Sequence, residues 1–288
     1  MEWINAIVQG VLLGGLYALF AAGLSLIFGI MRLVNIAHGD LIVLAAFFAL
    51  SITTSLGLNP FISIMLVVPL MAFIGYVLQR AILNQTLGYD ILPPLLVTFG
   101  LSVIIQNGLL ELFSADPQKL NAGFIEIASF KIMDEISIGI FPLIVFVTAV
   151  LIIFGLQLIF YRTALGRAFR ATSDNREIAQ LMGLNKNHVF GLAMALALAV
   201  VAIAGIFFGI RTSFDPSVGP GRLIFGFEAV IIGGLGNMWG TLIGGIILGI
   251  SQTIGAQINP GWQLISGHIA FLIVLAARPR GLFPKIEE

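Results

Sequence analysis

Long apolar runs separated by short polar breaks dominate the chain. No charged residue occurs from Trp3 to Met31, in the 39 residues from Leu41 to Gln79, or from Ala229 to Ala277, where His268 is the one ionisable group. A helix crossing a bilayer needs about twenty predominantly apolar residues, so such runs can be counted. The first crossing runs to about Ile30. The second and third divide at the turn signal Gly57-Leu-Asn-Pro60. A fourth starts at Pro93-Pro94, where proline suits a first helical turn, and ends near Glu111. Ser137–Phe160 and Val189–Ile210 are the fifth and sixth, and Gln257-Ile-Asn-Pro-Gly261 splits the last run in two. The pattern predicts an all-α membrane protein, a polytopic bundle of eight to ten spans forming a single domain over 1–288. Nine passes result if the short stretch Leu223–Gly236 also crosses.

Charge orients the bundle. The segment 161–188 holds Arg162, Arg167, Arg170, Arg176 and Lys186, five of the fourteen Lys and Arg residues. Basic loops stay on the cytoplasmic side, which places this loop and the end carrying Arg278, Arg280 and Lys285 inside. The loop 114–136 carries Asp116, Glu126, Asp134 and Glu135 against Lys119 and Lys131 and is expected outside, with Arg211–Arg222. The N-terminus is then outside, which demands an odd number of crossings. Lacking a basic n-region, the first run reads as a retained span rather than a secretory signal.

Within the basic loop, Asp174 reads as a helix N-cap with Glu177 as its capping-box partner. Ile178, Leu181 and Met182 follow on one face, and Gly183 offers a left-handed stop. A helix of about two turns is unstable alone. Its apolar face either folds back on the span ends or docks on a soluble partner.

Polar and small residues near the spans are the other candidates. Gly233, Gly234, Gly236, Gly240, Gly244, Gly245 and Gly249 give small-xxx-small spacings that let helices approach closely, and interrupted glycine segments also leave backbone lining a cavity. Ionisable groups beside apolar runs are costly and point to function. Asn35, His38 and Asp40 are either a solvated loop or a brace for a broken helix. Glu228 pairs with Arg222 only if the helix between them breaks. Gln106, Asn107 and Gln252 are expected as interhelical hydrogen bonds, and His268 as a packed histidine. The interruptions at Arg32–Gly39 and Asp215–Gly221 hint at two related halves.

Composition narrows the class. Hydrophobic residues make up 59% and charged ones 10%, with zero formal net charge and no cysteine. No basic surface exists for nucleic acid, and no thiol chemistry or Cys-ligated metal is available. No Walker A loop is present, so ATP is not hydrolysed here, and the H-E-x-x-H and G-x-S-x-G patterns of hydrolases are missing.

Four stretches carry a resemblance: Gly166-Arg-Ala-Phe-Arg-Ala-Thr with Asn175 to Gly183-Leu-Asn; Gly15-Leu-Tyr-Ala-Leu with Gly29 to Asp40; Glu228-Ala-Val-Ile-Ile-Gly-Gly-Leu-Gly236; and Arg278-Pro-Arg-Gly-Leu-Phe283. In this order they resemble the branched-chain amino-acid permeases of ABC importers, the LivH type. The resemblance implies a bacterial inner-membrane subunit without cofactors, working with ATPase subunits, a second identical or paralogous permease and a periplasmic binding protein. It assigns ATPase coupling to Arg167, Arg170, Asp174, Glu177, Ile178, Leu181, Met182 and Gly183. The pathway candidates are Asn35, His38, Asp40, Glu228, Gly233, Gly234 and Gly236. Urea and short-amide permeases look much the same, and an ion-coupled secondary transporter is the alternative from another class.

Overall fold

The computed structural model describes residues 2–88, 90, 92–133 and 136–284. Asp134 and Glu135 of the acidic loop and Lys285 of the basic end lie outside the described residues. The helices are α1 (Glu2–Met31), α2 (His38–Leu56), α3 (Pro60–Ala81), α4 (Leu92–Phe113), the short α5 (Phe124–Ile127), α6 (Ile140–Arg162), α7 (Ala164–Asp174), α8 (Arg176–Leu181), α9 (Lys186–Arg211), α10 (Gly219–Gly233), α11 (Met238–Ile258) and α12 (Gln263–Ala277). Among the described residues, eight helices are long and apolar enough to cross a membrane. Most are apolar on every face, as lipid and helix neighbours both require. The boundaries follow local chemistry. Asn59 caps α3 by accepting from Phe61 N, with Pro60 in the first turn, and Asn259 accepts from Gly261 N before α12.

One correction concerns the long acidic loop. It contains an antiparallel hairpin of β1 (Ser129–Met133) and β2 (Ile136–Gly139), so the fifth span begins at Ile140 rather than Ser137. Before the hairpin, Gln118 and Phe214 exchange backbone hydrogen bonds of 2.8 Å, and Leu120 N reaches Gly209 O at 2.9 Å. The loop is thereby strapped across the end of α9, whose last carbonyls would otherwise lack partners.

The helices form two inverted halves. α1 packs on α11 as α9 packs on α3; α10 packs on α1 as α2 does on α9; α12 lies on α10 as α4 does on α2. α1 ends and α9 begins on the face carrying the basic loop, so α1–α4 and α9–α12 run in opposite senses through the bundle. α1 and α9 are its core. α4 and α12 are its least covered crossings, with 17% and 6% of their span windows buried.

Each half contains a broken crossing. After α1 the chain runs non-helically from Arg32 (φ 52°), re-enters the bundle, and starts α2 beside Phe20, about three turns inside the end of α1. After α9 the chain likewise turns inward, and α10 starts against the first turn of α2. Gly39 and Gly219 meet there so closely that a Cβ on either would collide with the other's backbone or with Asp40. α10 spans only about 22 Å as a helix. It reaches the loop face, where Gly236 touches Gly29. The inward run and α10 together make a ninth passage, and the parity expected from charge is kept.

Candidate translocation core and coupling face

The segment between α1 and α2 is buried rather than solvated. Asn35, His38 and Asp40 are each at most 1% exposed. Asn35 Oδ1 accepts from Ala37 N at 3.1 Å and shapes the turn into α2. His38 Nε2 lies 2.9 Å from Phe20 O. A carbonyl only accepts, so Nε2 carries the proton. The break is thus tied to the middle of α1.

Asp40 is clasped by α4. Ser102 Oγ donates to Oδ2 at 2.5 Å and Gln106 Nε2 to Oδ1 at 2.9 Å. One turn before Ser102, Thr98 Oγ1 accepts from Ile36 N at 3.2 Å. Thr98, Ser102 and Gln106 recur every fourth residue and form one polar stripe along α4. Gln106 is therefore the interhelical amide expected. Asn107 is not, since it donates to Val103 O of its own helix at 2.8 Å.

Glu228 does not pair with Arg222. Its Oε1 accepts from His268 Nδ1 on α12 at 2.5 Å, and the imidazole stacks on Phe225 with centroids 6.3 Å apart. Arg222 instead lies over Phe208 and Phe225, at 4.6 and 5.8 Å from the ring centroids. Gln252 bonds across helices as expected, accepting from the Tyr17 hydroxyl at 2.5 Å.

Gly233, Gly234 and Gly236 form the turn from α10 to α11 at the loop face, with φ 104° and 78° at Gly234 and Gly236, rather than unwound backbone inside the bundle. The inner unwound stretches are those before α2 and α10. The C-terminal segment straps this turn: Leu282 N and Phe283 N donate to Ile232 O and Gly233 O at 2.9 and 3.1 Å. The run Arg278–Phe283 is thereby a cap for α10. Gly236 also borders a cavity of about 320 Å³ at this face, with Ser25, Gln157, Arg170 and Trp239.

The basic loop folds into α7 and α8 and is anchored to α1. Ser173 Oγ donates to Gly29 O at 2.7 Å and Arg176 Nη2 to Met31 O at 2.6 Å, filling carbonyls the helix end leaves open. The Arg176 guanidinium sits over Phe190, 5.4 Å from the ring centroid, with Arg32 close enough to oppose its charge. Arg170 donates to Phe160 O, and Arg167 is exposed. The expected capping is corrected. Asp174 is the last residue of α7, and Asn175 caps α8 by accepting from Glu177 N and Ile178 N at 3.0 Å each. Gly183, at φ 85°, stops the helix, with Leu184 N bonding back to Ala179 O. The apolar face does not fold back on the spans: Ile178, Leu181 and Met182 are 58%, 86% and 79% exposed.

Tyr17, Ser102, Arg211 and Thr98 were not singled out by the sequence. Tyr17, Ser102 and Thr98 lie in apolar runs, and Arg211 reads as an ordinary loop-end charge; helix packing brings Thr98 and Ser102 to the break before α2 and Tyr17 to Gln252, while Arg211 directly precedes the break before α10.

The high-affinity branched-chain amino acid transport system permease protein BraD of Pseudomonas aeruginosa is similar to this chain, 28% identical with 100% of this chain and 98% of that protein covered. The permease protein LivH of Salmonella typhimurium is 26% identical over the same shares, and the fructose import permease protein FrcC of Rhizobium meliloti is 26% identical, covering 84% of this chain and 69% of its own length. The family described as the permease component of branched-chain amino acid transport systems matches residues 6–277, a span that takes in both broken crossings and the loop between them, and the chain belongs to that family.

Proposed function

We propose that this chain is the membrane-spanning subunit of an ATP-driven importer of branched-chain amino acids in a bacterial inner membrane, with the α7–α8 face turned to the cytoplasm. One observation carries the reading. A six-residue helix, rigidly capped at both ends and anchored to the core helix α1, holds three large apolar side chains away from the spans. Such a face in water needs a partner, and the basic residues around it suit the cytoplasmic side. A separate ATPase seated on α8 would pull on α7, and through Ser173 and Arg176 on the end of α1 and the break beside it. A second permease chain and an external binding protein complete the assembly. The amino-acid cargo follows the names of the relatives covered end to end. Favouring ATP over an ion gradient, the chain offers a built docking face.

Leu181→Asp tests this. A charge in a desolvated contact costs about 2–5 kcal/mol of association. The variant is expected to lose ATPase co-purification and ATP-driven leucine uptake while reaching the membrane at parental yield. Ile127→Asp, at a residue 79% exposed on the opposite face, should keep the ATPase bound. Parental ATPase binding and uptake by Leu181→Asp would remove α8 from the mechanism.

A further inference from the structure

Half-way along α1, a second polar cluster has hydrogen bonds left unmade. Tyr17 is its centre, within electrostatic reach of Arg211 at the end of α9 and of Arg222 and Glu228 on α10. Its hydroxyl is spent on Gln252, and its ring lies 5.1 Å from that of Phe225. Around it, buried Arg211 Nη1, Arg222 Nε and Gln252 Nε2 have no acceptor, and buried Glu228 Oε2 has no donor. Glu228 and Gln252 are 4% and 0% exposed. Asp215 is near enough to act on Arg222, yet among the described residues neither arginine takes part in a salt bridge.

The unmade bonds have a pattern. Three are donors, two of them on guanidinium groups, and the fourth is a carboxylate oxygen. Phe208 and Phe225 hold the Arg222 guanidinium by its face, which leaves its N–H edge for a planar anion. Glu228, less than two turns further along α10, borders the same ring through His268, which stacks on Phe225 and bonds the carboxylate. A ligand carrying an anion and a cation on one carbon would use both kinds of unmade bond, and the surrounding rings suit an apolar side chain. We propose that Arg211, Arg222, Gln252 and Glu228 form a transit site for the zwitterionic head of an apolar α-amino acid. The carboxylate goes to the guanidinium edges and Gln252, and the ammonium to Glu228. His268 occupies the other oxygen of Glu228 from α12, the least covered helix. The inference rests on the reading of the chain as an amino-acid permease and adds where in the bundle the cargo is held.

The test is tritiated leucine binding to the full purified chain in detergent, with competition by leucinol, which lacks the carboxylate, and by 4-methylpentanoate, which lacks the ammonium. Leucine should bind at millimolar concentrations, and each half-analogue should compete at least about tenfold more weakly, because a site built for both charges leaves one unpaired. Arg222→Gln and Glu228→Gln should each lose leucine binding about tenfold or more while eluting as the parent does. The analogue series on the parent needs no variant and stands if either misfolds. Equal competition by the half-analogues, parental binding by both variants, or no binding by the parent overturns the site. In the last case, uptake of leucine by the assembled transporter would leave the importer reading intact. An assembled transporter that imports no branched-chain amino acid would sink that reading itself.

Discussion

The two broken crossings are built alike and finished differently. In the first half, a carboxylate on the inner helix, Asp40, is clasped by the outermost helix α4; in the second, Glu228 is clasped by α12. Asp40 has both oxygens occupied by neutral donors, Ser102 and Gln106. Glu228 has one oxygen on an ionisable histidine and the other unpartnered. A fully satisfied buried carboxylate is a structural tie, whereas a half-satisfied one keeps bonding capacity for something else. Pseudo-symmetry therefore does not make the halves equivalent. The first holds its peripheral helix, and the second keeps chemistry in reserve.

The largest effect is expected where the halves differ in packing rather than charge. A side chain at Gly244 of α11 would strike Ala229 O and the backbone at Gly233, while at Gly100 of α4 nothing lies within 4 Å. Gly244→Leu should cost about 3 kcal/mol or more and remove most folded protein from the membrane. Gly100→Leu should be recovered at parental yield, and equal yields would show that α11 does not approach α10 so closely. Next is Asp40→Asn. The amide cannot accept from both Ser102 and Gln106 on the same two oxygens, so a buried donor is stranded and thermal unfolding in detergent should show a loss of about 1–3 kcal/mol. The smallest change in stability belongs to Glu228→Gln. An amide and an imidazole can re-pair by exchanging donor and acceptor roles, so the shift should stay below about 0.5 kcal/mol. If Glu228→Gln melts earlier than Asp40→Asn, the assignment of tie and reserve is reversed.

Much of the bundle was legible because its signals are local. Apolar run length set the crossings, the segments ending in Asn59-Pro60 and around Asn259-Pro260 marked the turns that divide them, and Gly183 set the stop after α8. The failures come from ties that local chemistry could not break. Ser173, Asp174 and Asn175 are three consecutive residues able to cap a helix. Ser173 is drawn to Gly29 O, α7 continues through Asp174, and the cap falls to Asn175. Likewise Arg222 is the nearest cation to Glu228 along the chain, but α12 packs on α10 and brings His268 to the carboxylate.

By itself, the sequence determined that the chain crosses a membrane many times, which loop carries the basic charge, and which residues project from the short helix in that loop. These depend on run length, charge sign and helical period, all properties of neighbours along the chain. Only the tertiary structure decided that the breaks at 32–37 and 212–218 meet inside the bundle, that the loop is bonded to the end of α1, and that Asp40 and Glu228 have unlike partners. Inside a membrane every apolar face resembles every other. Which helices touch is settled by close approach at small residues and by the few polar groups that find each other, and neither is ordered along the sequence.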